Sequence, residues 1–76
     1  KLQYIEGADV VVAPGDVASA YAFCPPNTTA ISGGFFVSIA NIGASQTYGS
    51  TFHAIILLND TSIPVTVNAT VVCAAR

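Results

Sequence analysis

The chain has 76 residues, enough for one small domain with a marginal core, since a chain of this size buries only about 60% of its unfolded surface. Only 8% of its residues are charged and the formal net charge is −2, so there is no basic patch to neutralise phosphates, which argues against nucleic acid as a partner. Two cysteines and one histidine are too few for the usual four-ligand zinc site, and no apolar run reaches the ~20 residues that span a bilayer.

The chain reads as one domain over 1–76, with an extended N-terminal arm (1–13) and a core (14–76). Lys1 to Glu6 alternates as a short strand or extended arm, and Gly7 interrupts it. Ala8 to Ala13 is β-branched and reads as a strand. Pro14-Gly15-Asp16 is a turn, Pro presetting φ and Gly taking the positive φ that follows. Val17 to Cys24 is a strand with Ala18, Ala20, Ala22 and Cys24 on one face and Val17, Ser19, Tyr21 and Phe23 on the other. Pro25-Pro26-Asn27 stops it, because proline cannot donate to a ladder.

Thr28 to Ser32 reads as a short strand, Gly33-Gly34 as a bulge or tight turn, and Phe35 to Ile42 as a further strand. Gly43 to Ser50 reads as a polar loop. Thr51 to Leu58 is a strong strand, and Asn59 to Ser62 a polar turn. Ile63 to Cys73 alternates, with Val65, Val67, Ala69, Val71 and Cys73 inward. No helical periodicity survives over ten residues. The expectation is an all-β fold: a small antiparallel β-sandwich or barrel of about six to seven strands.

Such a small domain usually needs a staple. A Cys24–Cys73 disulfide closing roughly 50 residues would remove about 4 kcal/mol of unfolded-chain entropy. That favours an oxidising, extracellular compartment, two buried free thiols being the other reading. The chain begins at Lys1 rather than Met, which reads as a mature, processed product.

From Val17 to Asn59 there is no Asp, Glu, Lys or Arg. Strands 8–13 and 51–58 are apolar on both sides, whereas a sandwich buries one face of each sheet. Exposed apolar faces mark interfaces, and Leu2, Tyr4, Val10, Val12, His53, Ile55 and Leu57 are the candidate interface residues, loops folding over these faces being the alternative. Three asparagines, Asn27, Asn59 and Asn68, stand in Asn-X-Ser/Thr and are candidate glycan acceptors. Glycans would supply the hydration that charges do not.

No catalytic grouping stands out. His53 has no local nucleophile motif beside it, and Glu6, Asp9, Asp16 and Asp60 are few and scattered, without the dense oxygen loop of a calcium site. No metal, no cofactor and no enzymatic activity are expected.

The run Cys24-Pro25-Pro26-Asn27-Thr28 … Gly33-Gly34-Phe35, closing with Val65-Thr66-Val67 … Val71-Val72-Cys73-Ala74, resembles small secreted all-β modules of bacterial extracellular proteins. Those modules carry a Cys-Pro-x-Gly-Thr … Gly-Gly-Phe … Val-Cys-Ala pattern. The resemblance covers Val10 to Ala74; Pro26-Asn27 stands where the pattern has a small residue and Gly, and Ser32 replaces a third Gly. It implies an extracellular, disulfide-linked β fold and no assigned chemistry. By composition the chain also resembles subunits of pilus-like extracellular filaments held by an exchanged N-terminal strand. The expected function is therefore a structural subunit of a self-assembling filament, its partner another copy of itself, with the arm added as a strand to a neighbour's sheet. The alternatives are a secreted module binding carbohydrate or a surface through its tyrosines, and a viral decoration or fibre protein.

Overall fold

The computed structural model describes residues 2–39 and 43–76. Seven strands form: β1 (Leu2–Glu6), β2 (Val10–Val12), β3 (Val17–Phe23), β4 (Thr28–Val37), β5 (Ala44–Tyr48), β6 (Phe52–Leu58) and β7 (Val65–Ala75), with no helix among the described residues. They make two antiparallel sheets, the small all-β sandwich that the strand periodicity predicts.

The first sheet is organised on β7. Strand β4 runs along one of its edges, from Thr28 opposite Ala75 to Val37 opposite Val67. Strands β1 and β2 follow one another along the other, Leu2 opposite Ala74 and Val12 opposite Val65. Between them the Gly7 amide donates to Ala69 O at 2.8 Å, so the arm stays tied to β7 across the break. The arm is thus folded back onto its own chain. The second sheet has the order β3-β6-β5, with Val17 opposite Leu58, Phe23 opposite Phe52 and Tyr48 opposite His53.

Alternation decides what lies between the sheets. Val65, Val67, Ala69, Val71 and Cys73 of β7 are fully buried, as are Ile55 and Leu57 of β6, and Val12, Ala20 and Ala22 complete the core. Each buried Val, Leu or Ile contributes on the order of 2 kcal/mol. Cys24, just after β3, is bonded to Cys73 of β7, a sequence separation of 49, so the disulfide joins the two sheets. The Pro14-Gly15-Asp16 turn forms as expected, with Gly15 at φ 82° and the Asp16 amide donating to Ala13 O.

Three local expectations change. The two strands expected on either side of Gly33-Gly34 are one strand, β4, which carries the irregularity earlier, between Ala30 and Ser32. A Cβ on Gly33 would stand 2.6 Å from Cγ of His53, so the glycine lets β4 pass over the imidazole ring. The segment expected to be a polar loop contains β5, an edge strand whose five residues are all exposed. The strand expected to continue to Ile42 ends at Val37, and Ala40, Asn41 and Ile42 lie outside the described residues.

Candidate functional site

The candidate interface residues separate into two groups. Val12, His53, Ile55 and Leu57 are fully buried between the sheets within one chain, so none of the four lies on the free surface of the folded chain, unlike Leu2 and Tyr4 of the same expected set. A strand that is apolar on both sides does not reveal which side faces inward, and register with β3 turns residues 53, 55 and 57 in. Val10 is half-buried against the core, whereas Leu2 and Tyr4 are exposed.

His53 is held between the sheets. Its Nδ1 donates to the Thr70 carbonyl at 3.0 Å, and its Nε2 lies 2.9 Å from Gln46 Oε1. The Tyr48 ring covers it at a centroid distance of 4.4 Å. Because the carbonyl can only accept, the Nδ1 contact requires the proton on that nitrogen. Both nitrogens are therefore engaged in tying β6 to β7 and β5. Among the described residues no three His, Cys, Asp or Glu side chains gather as metal ligands.

The three Asn-X-Ser/Thr sites are not equivalent. Asn27 is exposed at the turn after the prolines, at φ 65°. Asn59 is fully buried. Its Nδ2 donates to Val12 O and to Ile63 O, both at 2.8 Å, while its Oδ1 accepts from the Thr61 amide and hydroxyl. With both amide protons committed and no solvent access, this fold has no room for a glycan there, against expectation. Asn68 is half-buried on the outer face of the first sheet and donates from Nδ2 to Asp9 Oδ1 at 2.8 Å.

What is exposed in place of the buried strand face is the opposite side of the same sheet. Val17, Tyr21 and Phe23 of β3 point outward beside Ile56 and Leu58 of β6, each between 42% and 62% exposed. At one end Tyr21, Phe23 and half-buried Phe52 form an aromatic cluster with centroids 5.7, 6.1 and 6.3 Å apart. At the other end an open depression of about 290 Å³ is lined by Val17, Ala44, Ser45, Ile56, Leu58 and the carboxylate-bearing Asp60. Strands β3, β5 and β6 all fall in the stretch without Asp, Glu, Lys or Arg, so the face itself carries no charge. Periodicity locates these residues on one side of β3; that β6 continues the apolar surface depends on the register between strands.

The tyrosines expected to bind sugar do not gather. Tyr4 lies on the outer face of the first sheet and Tyr21 on that of the second, while Tyr48 covers His53 and donates from its hydroxyl to Gly33 O at 3.3 Å.

Among the described residues the arrangement presents an apolar surface on the outer side of β3 and β6. Comparison with family models, with curated proteins and with solved structures returned no match.

Proposed function

We propose that the protein is a structural, self-associating subunit of an extracellular assembly. The observation that supports this reading best is the row of exposed apolar side chains, Val17, Tyr21, Phe23, Ile56 and Leu58, on the outer face of β3 and β6, because association surfaces are found where exposed apolar groups are contiguous. The disulfide is in keeping with an oxidising, extracellular setting.

A filament follows if the arm is exchanged. The β1 and β2 bonds to β7, made here within one chain, can be made by the arm of the next subunit on the same β7 edge. Repeated head to tail, such a contact generates an open fibre. Glycans on accessible asparagines would keep the assembly soluble. The carbohydrate-binding alternative has less support, because its tyrosines lie apart.

Negative-stain electron microscopy of the native material, with intact mass beside it, tests the reading. Fibres are the expected result; monodisperse particles of one chain at every concentration would overturn it. Exchange is read separately. Glu6 and Thr70 stand opposite each other across β1 and β7, so the paired variant Glu6→Cys, Thr70→Cys, oxidised after assembly, gives a covalent ladder if the arm is exchanged and single chains if it is not.

A further inference from the structure

We propose that the turn Ala13-Pro14-Gly15-Asp16 is the hinge of arm exchange, and that the left-handed backbone at Gly15 sets the balance between an arm folded back on its own chain and an arm given to a second copy. This deepens the self-association reading and rests on it.

The first observation is what cancels. The arm is held on β7 by the β1 and β2 pairings, from Leu2 opposite Ala74 to Val12 opposite Val65, and by the Gly7 amide on Ala69 O. Val12 is buried in the core, and its carbonyl accepts from Asn59 Nδ2 at 2.8 Å. Each of these contacts joins the arm to the body of the fold. The same arm brought by a second copy restores every one of them on the same edge, as in any exchange of an identical element. They therefore drop out of the comparison between the two forms. What remains is the turn itself, together with the entropy of association, which protein concentration offsets.

The second is how the turn is held. The Asp16 amide donates to Ala13 O at 3.0 Å and the Gly15 amide to Asn59 O at 2.7 Å. Gly15 stands at φ 82°, a region that residues with a side chain rarely enter, Asn and Asp excepted. An arm that leaves for a neighbour needs the hinge extended, and extended backbone has a negative φ open to any L residue. The demand for glycine thus belongs to the folded-back form alone. A Cβ built on Gly15 meets nothing within 4 Å, so a side chain there acts through the backbone dihedral and not through a clash.

The third is reach. Five residue steps separate Val12 from Val17, up to roughly 17 Å when extended. The receiving edge of β7 begins at Val65, opposite Val12, and the donating chain enters β3 at Val17, opposite Leu58. Both points lie where Asn59 clasps the turn, so exchanging copies adjoin at these ends and the opened hinge crosses only the gap between them.

The test uses the full chain carrying Glu6→Cys with Thr70→Cys, which face each other across β1 and β7, refolded at one fixed protein concentration and then oxidised. The ratio of covalently linked chains to internally linked single chains reads the balance. Adding Gly15→Val is expected to raise that ratio roughly tenfold or more, the population cost of a left-handed side-chain-bearing residue. Gly15→Ala raises it in the same direction by less. Gly15→Asn leaves it within about threefold of the glycine chain, because Asn tolerates left-handed backbone. Gly33→Ala, on β4, weakens both forms alike and leaves the ratio unchanged. The circular-dichroism spectrum and the mass of the intact native disulfide establish that each variant is folded. With linked chains present, a ratio that does not respond to Gly15→Val, or that Gly33→Ala raises as much, overturns the hinge while leaving exchange standing. Single chains alone, in both the glycine chain and Gly15→Val, overturn the hinge and the exchange together.

Discussion

Replacing Asn59 tests how the open end of the sandwich is held. This side chain fastens the β2–β3 turn to the β6–β7 connection. It donates to Val12 O and Ile63 O and accepts twice from Thr61, and its backbone adds Gly15 N to Asn59 O at 2.7 Å and Asn59 N to Asp16 O at 2.9 Å. Asn59→Ala removes the four side-chain bonds. Ile63 and Thr61 are accessible enough for water to replace their share, but Val12 is buried. An unsatisfied buried carbonyl costs about 1–3 kcal/mol, and each remaining bond about 0.5–1.5 kcal/mol when lost. The expected loss is about 3 kcal/mol, a large part of a small domain's stability. Urea denaturation followed by circular dichroism reads it as a lower midpoint at unchanged slope. Asn59→Asp should be worse at neutral pH, because a buried carboxylate oxygen would face the Val12 and Ile63 carbonyls. Burial raises the carboxyl pKa above its unfolded value. That variant is therefore nearest to wild type below the unfolded pKa and loses stability as pH rises through the folded one. An Asn59→Ala midpoint indistinguishable from wild type would refute the reasoning.

Other expectations follow from the same contacts. Cys24→Ala with Cys73→Ala should cost about 4 kcal/mol through the entropy restored to a loop of 49 residues; a urea midpoint unaffected by the change, or by reductant on wild type, would contradict it. Gly33→Ala should cost about 1–3 kcal/mol, because the new Cβ meets the His53 ring at 2.6 Å. In a double-mutant cycle with His53→Ala that penalty should shrink, and strict additivity would show the ring is not its cause. Secreted from a host that performs N-glycosylation, the folded protein should carry sugar at Asn27 and none at Asn59. Peptide mass mapping reads this directly, and a glycan on Asn59 of folded material would be incompatible with the structure.

The sequence by itself determined the fold class and the heaviest part of the core. The alternation of Val65, Val67, Ala69, Val71 and Cys73 identifies the buried face of β7, and that of Ala18, Ala20 and Ala22 the inner face of β3, because a two-residue period leaves one side to solvent. The Cys24–Cys73 pairing was legible for a simpler reason, there being only two cysteines. Three features were decided only by tertiary structure. β5 has little apolar alternation to show, since an edge strand exposed at every residue needs none; its partner β6 makes it a strand. β4 runs through Gly33-Gly34 because the ring it passes over belongs to His53, 20 positions along the chain, which no local pattern records. Asn59-Asp60-Thr61 has the same letters as a glycan acceptor and as a buried turn. Contact with Val12, 47 residues away, selects the second, since a side chain whose polar atoms are all bonded inside the fold presents none of them outside it.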